Sequence, residues 1–259
     1  MTKILITGAS SGIIASVINK IKQNNNYYIY VTVRTEKQLK LVTERYKNYK
    51  NLECFKLDIT NNKDIEKVKN LDIDILINNA AIGEGGSVAC INMDRLINNF
   101  NVNVFGTIKL TQVVLSNMII KGSGKIINIS SLAGVMPISF LGVYSATKAS
   151  IIKLSIALKN ELKLINKNIK VVLIEPGFYH TGFNQIMIDN KYKDCFSYFN
   201  KYKNIIKKRE NLMLKLLEKN HFNSITNKII KAIKVNNPKF IYRAPILQVI
   251  GSKIYELFH

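Results

Sequence analysis

Cysteine, histidine and acidic side chains are all scarce in this chain, and each shortage removes a class of function. Three cysteines, Cys54, Cys90 and Cys195, lie far apart with no C-x-x-C pair, which excludes a disulfide framework and a zinc ribbon. Three histidines, His180, His221 and His259, share no ligand spacing, so no metal is expected in the chemistry. No run approaches the roughly 18 consecutive apolar residues of a membrane span. The opening MTKILITGAS lacks the charged, apolar and cleavage regions of a secretory signal, so a cytoplasmic protein is expected. Only 17 acidic residues stand against 38 lysines and arginines, a balance of +21 that attracts phosphates, nucleic acid or anionic lipid. The lysines are scattered among Asn and Ile along the whole chain and form no basic block or nucleic-acid module. Decoration of solvated faces is therefore the expected reading, with no nucleic-acid partner.

What is present is a chain of 259 residues, 47% hydrophobic, enough for one large α/β domain. Strand-like apolar runs at residues 3–7, 28–33, 52–57, 73–78, 125–129 and 169–174 alternate with helical patterns, the first of them at residues 16–23. Such alternation predicts right-handed crossovers and a doubly wound parallel β-sheet of about seven strands with helices on both faces. The runs ILIT, ILIN, IINI and VVLI are nearly all apolar, as strands buried on both faces require. Their carboxyl ends carry Thr7-Gly8, Asn78-Asn79-Ala80, Ser130-Ser131 and Pro176-Gly177, which locates the cleft. No linker or internal repeat divides residues 1–259. Residues 3–177 form the core, 178–215 read as a substrate-covering insertion that breaks the rhythm, and 216–259 as a terminal helix, strand and apolar tail.

Two features suggest a dinucleotide. In the turn TGASSGI, Gly8 and Gly12 flank Ser10 and Ser11 and precede Ile13, and the missing side chains let backbone N–H groups approach a pyrophosphate. The second strand ends YIYVTVRT without the acid that would bind both ribose hydroxyls, and Arg34 stands there instead. Its guanidinium suits a 2′-phosphate, so NADP(H) is preferred, with NAD(H) as the alternative.

Tyr144 and Lys148, in YSATK, lie four residues apart and share one helix face. A neighbouring ammonium favours the phenolate, so Lys148 is expected to lower the tyrosine toward working pH and make it a general acid and base.

With these motifs the sequence resembles the short-chain dehydrogenase/reductase family, closely over residues 3–181. Thr7, Gly8 and Gly12 match its T-G-x-x-x-G-x-G turn, while Ile14 replaces the last glycine. The resemblance implies that Ser131, 13 residues before Tyr144, is the catalytic serine rather than Ser130, and that Asn103 holds a water that relays protons to Lys148. It further implies that Asp58 contacts adenine, that Asn79 and Ala80 with Asn78 correspond to the family's N-N-A-G turn, and that Pro176, Gly177 and Thr181 shape the nicotinamide pocket. A homodimer or homotetramer, with the Tyr144 helix at one interface, is implied as well.

The expected activity is therefore NADP(H)-dependent interconversion of a small-molecule carbonyl and alcohol. Phe178, Tyr179, Phe183, Tyr192, Phe196, Tyr198, Phe199 and Tyr202 offer an apolar pocket for a hydrophobic substrate. Lys193, Lys201, Lys203, Lys207 and Lys208 are expected at the solvated surface. The alternative built on Ile14 is a cofactor-sensing or scaffold protein with idle catalytic residues. The terminal run ILQVIGSKIYELF is expected to pack on the core, peripheral membrane contact being the weaker reading.

Overall fold

The computed structural model describes residues 1–10, 12–165, 167–191 and 197–258. Its strands are β1 Thr2–Ile6, β2 Tyr27–Val33, β3 Leu52–Lys56, β4 Ile75–Asn78, β5 Ser123–Ile129, β6 Asn168–Pro176 and β7 Ile241–Ala244. They pair in parallel in the order β3-β2-β1-β4-β5-β6-β7. Side chains alternate across the sheet with period two. Ile4 and Ile6 enter one core while Leu5 enters the other, which is why the strands read as unbroken apolar runs.

One face is covered by α1 Gly12–Ile21, α2 Glu36–Tyr46 and α9 Asn223–Lys234, through Val17, Ile18, Val42, Ile225 and Ile229. The other is covered by α3 Asn62–Lys69, α5 Thr107–Lys121 and α6 Gly142–Leu164, through Ile65, Val68, Leu110, Val114 and Leu162. Local chemistry fixes the helix ends. Thr35 and Gln38 form a capping box on α2, Asn61 accepts from the Lys63 and Asp64 amides to start α3, and left-handed Gly122 stops α5. At the close of α9, buried Lys125 donates to the carbonyls of Ala232, Ile233 and Val235, filling acceptors that a helix C-terminus leaves open.

Strand order reverses at β1 and β4, so the cleft opens where their carboxyl ends part. Over it lies α7 Phe183–Asn190, followed among the described residues by a 3-10 turn Ser197–Tyr202 and α8 Lys203–Leu217. The loop after β4 leads into α4 Met93–Phe100.

The tail departs from its expected packing. Residues 246–258 form α10 Ile246–Phe258, in which Ser252 alone is buried and Ile246, Leu247, Leu257 and Phe258 are well exposed. Both sheet faces are already covered, so no core surface remains to receive this helix.

Candidate active site

The glycine turn is held from below by a seam between β1 and β4. Thr7 Oγ1 accepts from the Asn79 and Ala80 amides, each at 3.0 Å, and Asn79 Nδ2 donates to the carbonyls of Thr7 at 3.0 Å and Gly8 at 2.9 Å. Asn78 points away and bonds Thr111 and Asn128, tying β4 to α5 and β5. Gly8 has φ +64° and a Cβ there would stand 2.7 Å from Ala80 Cα, so no other residue fits. Arg45 Nη1 fixes the turn from outside by donating to the Ser10 carbonyl at 2.9 Å. Ser11 lies outside the described residues.

Of the expected cofactor contacts, Gly8, Ser10, Gly12, Ile13, Arg34, Asp58, Asn79, Ala80, Pro176, Gly177 and Thr181 all line one cleft of about 590 Å³. Arg34 is exposed at the tip of β2. Asp58 Oδ1 accepts from Thr60 N and Oγ1, which orients the carboxylate at the rim. A glycine turn and an exposed guanidinium on one cleft fit a phosphorylated dinucleotide. Ile14 does not obstruct it: the side chain is buried in the core among α1 and the sheet.

Tyr144 and Lys148 occupy the buried face of α6 at the other end of the same cleft. Lys148 Nζ lies 5.7 Å from the centroid of the Tyr144 ring and donates to the Ile129 carbonyl at 2.9 Å. Ser131, in extended conformation after β5, accepts from Ala133 N at 3.1 Å and donates to the Pro176 carbonyl at 3.4 Å, with its hydroxyl beside the Tyr144 phenol. Ser130 instead donates to the Lys148 carbonyl at 2.9 Å.

The electrostatics differ from the sequence expectation. Burial pushes the Tyr144 hydroxyl up, with Ser131 alone pulling it down, and burial pushes the Lys148 ammonium down to about 8. Enclosure of both groups outweighs the pull that the lysine was expected to exert. Asn103 lies behind the cleft, in a π-helical turn Asn101–Gly106 between α4 and α5. Its Oδ1 accepts from Ile82 N at 2.8 Å, and its Nδ2 donates to the Ile82 carbonyl and to Thr147 Oγ1, beside Lys148.

The substrate end is walled by Phe178, Tyr179 and Phe183, the last with its ring 5.7 Å from that of Tyr144. Phe199 packs on Phe140 instead, Tyr198 and Tyr202 are exposed, and Tyr192 and Phe196 lie outside the described residues. Lys201, Lys203, Lys207 and Lys208 are exposed, and Lys193 is outside the described set. Sequence reasoning missed Ile138 and Leu141 before α6, and Ile186 and Met187 on α7, all of which line the cleft. Helical spacing was the only signal for the α7 pair. It also missed a latch: Arg95 Nε donates to Glu84 at 2.7 Å, Arg95 Nη2 to the Asn190 carbonyl at 2.9 Å, and Asn190 Nδ2 to the Gly83 carbonyl at 3.0 Å. These bonds clamp the end of α7 onto the loop after β4.

Residues 2–191 match the pattern of the short chain dehydrogenase family. The chain belongs to that family. Short-chain dehydrogenases are NAD(P)-dependent oxidoreductases, and this one is similar to the 3-ketodihydrosphingosine reductase of Bacteroides thetaiotaomicron, 31% identical over 96% of this chain and 90% of that protein. It is similar also to the NADPH-dependent 3-dehydrocapnine reductase of Ornithobacterium rhinotracheale, 32% identical over 67% of this chain and 64% of that protein. Among solved structures, ElxO with NADP bound superposes with a TM-score of 0.64 at 27% identity, covering 73% of this chain and 78% of that one. The site of this short-chain dehydrogenase thus suits a nicotinamide cofactor.

Proposed function

We propose that the chain is an NADP(H)-dependent reductase that converts a ketone on a hydrophobic, long-chain substrate to an alcohol, with Tyr144 as general acid. The carrying observation is a buried Tyr144 hydroxyl, beside Ser131 and backed by Lys148, in the same cleft as the glycine turn and Arg34. When bound, the nicotinamide supplies the hydride. Ser131 holds the substrate oxygen beside the phenol, and Tyr144 gives that oxygen its proton as negative charge develops there. A hydroxyl raised by burial stays protonated at physiological pH, the state that reduction requires. Lys148 offsets the phenolate left behind and would bond the nicotinamide ribose. Asn103, bonded to Thr147 beside Lys148, is the positioning residue of the route by which Tyr144 regains its proton.

Arg34 would take the 2′-phosphate and the amides of the glycine turn the pyrophosphate. Two observations favour a hydrophobic substrate. Beyond Tyr144, a second cavity of about 270 Å³ shares Ile138, Leu141, Phe178 and Met187 with the cleft and is closed by Ile206, Met213 and Leu214 of α8. Two relatives are reductases of ketones by name, one of 3-ketodihydrosphingosine and one of 3-dehydrocapnine. Assembly through α6 and the π-helical turn before α5 is in keeping with exposed Phe105, Leu154 and Leu164. With Ile14 in the core, no observation favours an idle scaffold.

The test is NADPH consumption with ketones of graded chain length. Rates should rise with chain length, and Tyr144→Phe should lower kcat by about 10²–10⁴-fold while NADPH binding persists. Turnover unchanged by that substitution would overturn the assignment.

A further inference from the structure

We propose that α10, together with the outer face of α8, docks this protein on the surface of an anionic phospholipid bilayer. On α10, Ile246, Leu247, Ile250, Ile254, Leu257 and Phe258 are 50–81% exposed. At 3.6 residues per turn they fall within about 120° of arc, a single apolar stripe along the whole helix. The opposite side holds the helix to the protein. Gln248 Nε2 donates to the Leu217 carbonyl at 2.6 Å, Gln248 Oε1 accepts from Phe178 N at 2.8 Å, Ser252 is buried, and Glu256 pairs with Arg243. The stripe therefore points away from the fold because the polar face is the anchored one. Six large apolar side chains in one row exceed the scattered exposure ordinary on a monomer.

A second exposed apolar row lies on α8. The Gln248–Leu217 bond brings the end of α8 to the first turn of α10. On α8, exposed Ile205, Leu212 and Leu216 share a face by helical spacing, bordered by Lys208 and Lys215 on one side and Arg209 on the other. The inward side chains of the same helix, Ile206, Met213 and Leu214, wall the second cavity. An apolar chamber thus lies directly beneath an apolar outer surface.

Charge selects the occupant. Residues 197–258 carry thirteen lysines and arginines and three carboxylates. All three carboxylates are engaged: Glu210 with Lys191, Glu218 with His180 and Asn184, and Glu256 with Arg243. A second copy of the chain would bring the same positive charge to the stripe, whereas anionic lipid headgroups neutralise it while the apolar row enters the acyl boundary. The docking reading stands apart from the catalytic one, since it rests on side chains that do not contact Tyr144, Ser131 or Lys148.

The chain contains no tryptophan, so Ile254→Trp places a lone indole on the stripe. With vesicles of phosphatidylcholine containing phosphatidylserine, its emission should shift to the blue and the protein should float with the vesicles. Pure phosphatidylcholine should bind at least about tenfold more weakly, and the doubly substituted Ile250→Asp, Leu257→Asp protein should lose binding to a similar degree. Lys208→Glu with Lys215→Glu should weaken anionic binding without touching α10, which keeps the test valid if the aspartates disturb the helix. No blue shift and no flotation would overturn the proposal. So would a concentration-dependent oligomer abolished by the same aspartates in the absence of vesicle binding, which would assign the stripe to a second copy.

Discussion

Replacing Thr7 by valine tests the seam beneath the cofactor bed with almost no change of shape. The hydroxyl is buried and is the acceptor for two backbone amides, those of Asn79 and Ala80, besides donating weakly to the Ile77 carbonyl at 3.4 Å. Valine leaves both amides without a partner at the point where β1 and β4 diverge. A partly buried amide stripped of its acceptor is destabilising by about 1–3 kcal/mol, so the pair should lose about 3 kcal/mol together. For a chain of this size that corresponds to a fall in Tm of about 6–12 °C. Serine restores the oxygen and should recover most of it. Thermal unfolding followed by circular dichroism reads the stability, and NADPH titration reads the bed. Affinity should fall with Thr7→Val, because the Gly8 turn is held by Asn79, whose own amide is fixed by Thr7. A valine variant melting within about 2 °C of the parent would refute the claim that this hydroxyl holds the turn.

Arg34→Ala should weaken NADPH by about 10–100-fold and leave NADH nearly unchanged, as measured by calorimetric titration, because only the former carries a 2′-phosphate for charge-assisted bonds. The reductive kcat/KM should hold steady at lower pH and fall above about 8. Burial has brought the Lys148 ammonium down to about 8, and once neutral it no longer favours the phenolate left by proton donation. A profile without that limb would remove Lys148 from the proton chemistry. Lys125→Met keeps the stem but removes three donors from the end of α9, and should destabilise by about 1–3 kcal/mol in denaturant titration with kcat unchanged.

The sheet was legible because strands enclosed on both faces need nothing but apolar residues, a pattern that no half-exposed element imitates over ILIN or VVLI. Positions that line the cleft were legible where a local motif carries them, as in TGASSGI and YSATK. Three things were not. The sign of the shift at Tyr144 depends on how deeply α6 is enclosed, which spacing along the chain does not encode. The Arg95, Glu84 and Asn190 clamp joins residues about a hundred positions apart, with Gly83 and Gly85 small only because α7 presses on them. And α10 has the amphipathic period of a core helix; periodicity says that one side is apolar, not what covers it.

The seam at Thr7 also makes the cleft a property of the assembled fold. Its walls come from the first strand, from the turn near residue 80, from α6 and from the segment around Thr181, so no single stretch of chain presents a complete seat for a dinucleotide. A ligand that grips only the finished assembly draws the whole population toward it. The amount of this protein that survives proteolysis in a cell should accordingly track the supply of its coenzyme.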